Sequence, residues 1–198
     1  MAGFTPCTNT LKANIATSCS NPRTKGYEQI GIIFNRADID WTETTTASGN
    51  VRIYEKIKLK DGKKPYIIYN RRQNPLPFDG TNTTYNAENN NYDKTVQFYF
   101  EGIGGKASAE VIEPLKDDLF VIMLYRKDHR GDGTFQLFGM LDGLKATAQV
   151  QDETTGYWLI TMTCAESLAE VSFFNSSFVT TLTEYQSLLS AVEVTAES

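Results

Sequence analysis

Four strand-like segments follow one another between Asp118 and Glu166 with only short turns between them, and nothing else in the chain constrains the fold as strongly. The first, Leu119-Phe-Val-Ile-Met-Leu-Tyr125, is apolar throughout, which predicts a strand covered on both faces. The turn Asp128-His-Arg-Gly-Asp-Gly133 leads into Thr134-Phe-Gln-Leu-Phe-Gly-Met140. Leu144-Lys-Ala-Thr-Ala-Gln-Val-Gln151 and Tyr157-Trp-Leu-Ile-Thr-Met-Thr-Cys164 follow, each with alternating faces. Such a run predicts a sheet built from local pairings, and it contains no catalytic constellation.

The flanking sequence adds further strands. Ile30-Gly-Ile-Ile-Phe34 is an apolar run, and Val51 to Lys60 alternates. In that stretch Val51, Ile53, Ile57 and Leu59 share one face, broken by Glu55, and Arg52, Lys56, Lys58 and Lys60 make the other basic and wet. Asp61-Gly62 marks a turn, so Pro65-Tyr-Ile-Ile-Tyr69 is a candidate partner strand. Thr95 to Glu101 places Val96, Phe98 and Phe100 on one face. Ala107 to Leu115 is the best helix candidate, with Ala109, Ile112 and Leu115 on one side and Pro114 limiting its length. Glu170 to Val179 reads as extended, and Glu184 to Ala191 as one short helix. The expected fold is mainly β, with about seven to nine strands in a sandwich or barrel-like arrangement of antiparallel sheets. One flanking α-helix and a long extended loop complete it.

At 198 residues the chain can bury a core without disulfides or metal, and it shows no internal repeat or composition break. It reads as a single β-rich domain over 1–198, with an N-terminal arm at 1–25, a long loop at 70–94 and a flexible tail at 192–198. Hydrophobic residues at 40% exclude a wholly disordered chain. The net charge of −5 argues against a protein that grips nucleic-acid phosphates, but not against a surface that repels a passing polyanion. No apolar run approaches the roughly 18 residues of a membrane span. The first residues lack a basic and then apolar leader, so synthesis in the cytoplasm is expected.

Asn70 to Asp93, rich in Asn, Thr and Pro, has little core-forming potential. Structureless stretches of this length are uncommon in compact domains. Two readings stay open: a surface insertion without fixed structure, or a reaching arm that orders against a neighbour. On the second, Pro75, Pro77, Phe78 and Tyr85 are anchors, and Arg71 and Arg72 are polar contacts.

Chemical motifs are thin. Gly102-Ile-Gly-Gly-Lys-Ala107 fits a loose dinucleotide-loop pattern, but the following hairpins are wrong for alternating helices and parallel strands. Asp128 to Gly133 resembles the start of a calcium loop, yet Arg130 stands where an oxygen ligand is needed. With three cysteines (Cys7, Cys19 and Cys164), one histidine (His129) and no Cys-x-x-Cys, a zinc site has little support. Asp117, Asp118, Glu153 and Glu166 are candidate paired acids only by their type. No catalytic residue, metal or cofactor is expected.

The block from Phe120 to Cys164, with its Phe-Gln-Leu-Phe-Gly strand, Asp142-Gly-Leu144 and Gly156-Tyr-Trp-Leu-Ile-Thr-Met-Thr, resembles tail proteins of phages and prophages that infect Bacteroides-type bacteria. Cys7, Cys19 and Gly26-Tyr-Glu-Gln-Ile-Gly-Ile-Ile-Phe-Asn35 are similar to the beginnings of the same proteins. The likeness is patchy and covers about half of the chain. It implies a virion structural protein, a tail tube subunit or close relative made in the host cytoplasm. Such a β-sandwich would self-assemble into rings, usually hexameric, stacked around a channel. DNA would be passing cargo, other tail proteins would be partners, and no membrane would be involved. The alternative is a β-sandwich module that binds carbohydrate or protein, with Trp41, Trp158 or exposed tyrosines as platforms; Trp158 shares a face with Ile160, Met162 and Cys164, which favours core packing.

Overall fold

The computed structural model describes residues 24–70, 77–102, 104–129, 131–153 and 156–191. The arm at 1–23 with Cys7 and Cys19, the residues 71–76, Arg130 and the tail at 192–198 lie outside the described residues. The protein is mainly β, with two open sheets stacked face to face and no closed barrel.

The larger sheet contains β1 (Tyr27–Asn35), β2 (Thr45–Ala47), β3 (Asn50–Lys56), β4 (Tyr66–Tyr69), β7 (Phe120–Arg126), β8 (Phe135–Phe138) and β11 (Val171–Phe173). Their order is β2-β3-β11-β8-β7-β1-β4. The smaller sheet contains β5 (Asn82–Asn86), β6 (Asn91–Phe100), β9 (Lys145–Asp152) and β10 (Tyr157–Glu166), in the order β5-β6-β10-β9. Every pairing is antiparallel except β3 with β11.

The uniformly apolar strand is β7, and Phe120 to Leu124 are all buried. Alternate side chains enter two cores, as the two-residue period of a strand requires. Phe120, Ile122 and Leu124 meet Val96, Phe98, Ile160 and Met162 of the smaller sheet. Val121 and Met123 meet Phe34, Phe135, Phe173 and Tyr185 on the other side. That second face is roofed by α3 (Phe178–Ser190), through Phe178, Leu182, Tyr185 and Leu189. Tyr185 also donates its hydroxyl to the Ile30 carbonyl at 3.0 Å, tying the helix to β1.

α3 starts at Phe178 rather than at Glu184. Phe178-Val-Thr-Thr181 favours an extended chain by propensity alone. Capping overrides it: the Ser177 hydroxyl accepts from Thr180 N at 3.2 Å. Thr181 is buried and donates its hydroxyl to the Ser177 carbonyl at 2.7 Å. The expected helix at Ala107–Leu115 is a broken one: α1 (Gly105–Ala107), a π turn at Ser108–Ile112 and α2 (Glu113–Asp117). The π turn sets Pro114 in the first turn of α2, where its missing N–H costs nothing. Ile112 and Leu115 enter the core between the sheets, whereas Ala109 is exposed.

Three strand expectations need correction. Val51 is exposed and Tyr54, from the opposite face, is buried together with Ile57, because strand regularity ends at Lys56 and the alternation changes phase. The basic side chains Arg52, Lys56, Lys58 and Lys60 are exposed as anticipated. Tyr66–Tyr69 pairs with β1 rather than with β3, Ile32 facing Ile67. The stretch 70–94 is not one long loop: Asn82–Asn86 and Asn91–Phe100 form a hairpin, with Tyr85 opposite Tyr92.

The four-strand block is two hairpins in different sheets. β7 pairs with β8, and β9 with β10. The chain crosses between sheets at Gly139 to Leu144, where Phe120 and Leu144 exchange N–H···O bonds of 2.9 and 2.8 Å. Gly139 has φ of +77°, and a Cβ there would stand 2.5 Å from the Phe120 carbonyl oxygen. Gly49 has nearly the same φ, +76°, with nothing within 4 Å. Gly139→Ala therefore combines left-handed strain with a backbone clash, and Gly49→Ala has strain alone. In urea denaturation the first should cost about 3 kcal/mol or more and the second about 1 kcal/mol.

Candidate functional site

One end of the sandwich opens into a groove around a polar cluster. Tyr27 at the start of β1 and Gln136 of β8 both point between the sheets, beside Phe138. The Tyr27 ring stands edge-on to Phe78 and Phe138, at centroid distances of 6.3 and 6.5 Å. Tyr27 donates its hydroxyl to Gln136 Oε1 at 2.6 Å, and Arg126 Nη2 donates to the same oxygen at 2.6 Å. Arg126 Nη1 also meets Glu170 Oε1 at 2.8 Å. Burial raises the Tyr27 phenol above its ordinary value, partly opposed by the neighbouring Arg126 charge.

This cluster divides the groove into two lobes. One, of about 550 Å³, runs along the β5–β6 hairpin past Thr81, Asn82, Thr83, Tyr85 and Tyr92. The other, of about 620 Å³, continues past Lys25, Asn50, Arg52, Asp132 and Ser172. Tyr27, Arg126, Ala169 and Glu170 line both.

Of the residues anticipated as inter-subunit contacts, Pro77, Phe78 and Tyr85 are among the described residues. Arg71, Arg72 and Pro75 lie outside the described residues. Pro77 and Phe78 are buried, and Phe78 is only 2% exposed, with its ring tip 3.2 Å from where a Gly31 Cβ would be. An anchor needs a free surface, so Phe78 is a core residue of its own chain and not a reaching one. Tyr85 alone keeps an outward position, 53% exposed on the edge strand β5. The Phe78 assignment failed because a lone aromatic among Pro and Asn reads as surface until its partners are known.

The acids are dispersed. Asp117, Asp118 and Glu153 are exposed, and Glu166 is fully buried in an ion pair with Lys94 at 2.5 Å. Its other oxygen accepts from Leu141 N at 2.9 Å. Lys94 lies in phase with Val96 and Phe98 on the inner face of β6, a signal visible in the alternation. Gly104, of the dinucleotide-like pattern, has φ of +92° and leads into only three α-helical residues, after antiparallel strands. His129 is exposed but lies between the rings of Tyr125 and Phe178, at 5.0 and 5.2 Å. Among the described residues no three His, Cys, Asp or Glu side chains are grouped to hold a metal ion.

Of the anticipated ring platforms, Trp158 packs against the core between the sheets, whereas Trp41 is exposed with the Arg36 guanidinium 5.0 Å above its ring. The Tyr27–Arg126–Gln136–Glu170 cluster was missed from sequence. Its one signal was Gln136 flanked by Phe135 and Leu137, since a polar residue inside a buried strand must find partners. No family model, curated protein or solved structure matches this chain.

Two outcomes are expected here. Lys94→Met leaves the Glu166 charge buried alone and should cost about 3–5 kcal/mol in urea denaturation. Adding Glu166→Gln should recover much of that, because Gln can still accept from Leu141 N. Burial, chiefly, pushes the Cys164 thiol up to about 12. At pH 8 iodoacetamide should therefore leave Cys164 unlabelled in the folded protein and label it in urea, as read by peptide mass spectrometry.

Proposed function

We propose that this chain is a virion structural protein that assembles head to tail into rings, forming a phage tail tube or an adjoining tail ring. The rings, six-membered as the resemblance implies, would stack around a channel that DNA crosses without being bound. The observation that carries this reading is the outermost strand of the larger sheet. β4 consists of Tyr-Ile-Ile-Tyr, with Tyr66 57% and Ile67 38% exposed beside the half-exposed Ile30 of β1. Proteins that work as monomers blunt such edges with lysine, proline or bulges. Nothing of that kind interrupts β4 itself, although Lys63, Lys64 and Pro65 precede it.

Ring closure by a head-to-tail contact joins two different surfaces of each copy, and open sheets offer four outer strands: β2, β4, β5 and β9. The net charge of −5 suits a lining that repels the polyanion. On this reading the exposed Arg52, Lys56, Lys58 and Lys60 face away from the channel. The function lies in shape and edge pairing, with no catalytic step. Other tail proteins would cap the stack, and the assembled location is the virion after synthesis in the host cytoplasm.

Negative-stain electron microscopy of the purified chain should show rings or tubes. Ile67→Lys places a charge at the β4 edge and should convert them to monomers, with an unchanged circular dichroism spectrum. Replacing Ala87–Asn90 by a two-residue Asn-Gly turn should weaken stacking and spare single rings. Removing all of 73–91 is not an equivalent test, because it strips Phe78 from the core. Wild-type protein that remains monomeric by sedimentation at high concentration and under tail-assembly conditions would sink the proposal.

A further inference from the structure

The groove at the Tyr27 cluster has a feature that packing alone does not explain. Gln136 is only 4% exposed, and its carboxamide oxygen is taken twice, by Tyr27 and by Arg126. Arg126 Nη2 can only donate, so it fixes which end of the Gln136 amide is oxygen. Its nitrogen end therefore faces the groove, and among the described residues no protein group accepts from it. That nitrogen keeps contact with solvent, so water serves it in the empty groove and an incoming oxygen can take the water's place.

Around this donor the groove supplies the complementary groups. Glu170 holds Arg126 through one carboxylate oxygen, and it borders both lobes. On the hairpin wall the Tyr85 and Tyr92 rings lie 5.4 Å apart, tilted by 53°. Tyr85 donates its hydroxyl to Asn90 Oδ1 at 3.1 Å, which holds an exposed ring in one orientation. Thr81, Asn82 and Thr83 add uncharged polar groups along the same wall.

We infer that this groove binds a neutral oligosaccharide, with Tyr85 and Tyr92 as the stacking surface and Gln136, Glu170 and Arg126 as the hydroxyl-binding groups. A sugar ring carries an apolar C–H face and a rim of hydroxyls that both donate and accept. It meets an open amide donor, a carboxylate acceptor and an aromatic face together. A purely apolar ligand would leave Gln136 unmet. An anion finds no net charge in the hairpin lobe, because among the described residues Arg126 is the only cation lining it and Glu170 pairs with it. The volume of about 550 Å³ is within the range of small-ligand sites, and the second lobe continues past the ion pair, which favours a chain of sugars over a single one.

Ile67 lines neither lobe, so the Ile67→Lys variant separates loss of ring closure at β4 from loss of glycan binding. The test uses the full chain, as wild type and as the Ile67→Lys variant, on an array of neutral glucans, mannans, xylans and N-acetylglucosamine oligomers with sialylated and sulfated glycans alongside. Both forms should bind at least one neutral oligosaccharide, measured next by isothermal titration. Tyr85→Ala and Glu170→Gln should each weaken that binding at least tenfold, with the melting temperature within a degree or two of wild type. The inference is overturned if no neutral glycan binds at millimolar concentration, if binding is confined to the charged glycans, or if the best ligand binds both variants as tightly as wild type.

Discussion

Burial of β7 on both faces holds the architecture together. Because Phe120, Ile122 and Leu124 enter one core and Val121 and Met123 the other, a single strand couples the smaller sheet to the α3 layer. Each fully buried side chain of this kind contributes about 1.5–3 kcal/mol, and here the gains on the two faces belong to one backbone segment. Slipping β7 by one residue against β1 would exchange the two faces. Every apolar group would then meet the wrong core, so the pairing of Ile33 with Ile122 and of Phe34 with Val121 is firmly specified.

The parts of the fold that were legible in the sequence are those with long, unbroken periodicity. Phe120–Arg126 announced a doubly covered strand, and Val96 and Phe98 announced a half-covered one. What could not be read was the choice among non-local partners. Nothing in Tyr66–Tyr69 distinguishes β1 from β3 as its neighbour, and nothing in the two central hairpins says that they belong to opposite sheets. Local composition misled where a tertiary contact outweighed propensity. The capped start of α3 looked extended, and the Asn-rich stretch looked structureless although it pairs closely with β6.

The candidate site was less legible still, for a physical reason. Tyr27, Arg126, Gln136 and Glu170 come from four separated parts of the chain and are ordinary residues singly. Their meaning comes from the two donors that converge on one amide oxygen. The Lys94–Glu166 pair is similar: alternation placed the lysine inward, but only the fold supplies the carboxylate that makes its burial tolerable. A residue's type proposes a chemistry, and its neighbours decide whether that chemistry is available.

The parallel pairing of β3 with β11 has a consequence for biosynthesis. β3 reaches the rest of its sheet only through Val171–Phe173, a three-residue strand that follows all the others in the chain. While the ribosome is still translating the middle of the message, the β2–β3 ribbon has no place to dock and its hydrogen-bonding margin faces solvent. Completion of the larger sheet thus waits for a segment far along the chain, a long-range closure of the sort that folds slowly. Until that closure, the open margin of the ribbon is exposed to intermolecular strand capture, which competes with maturation.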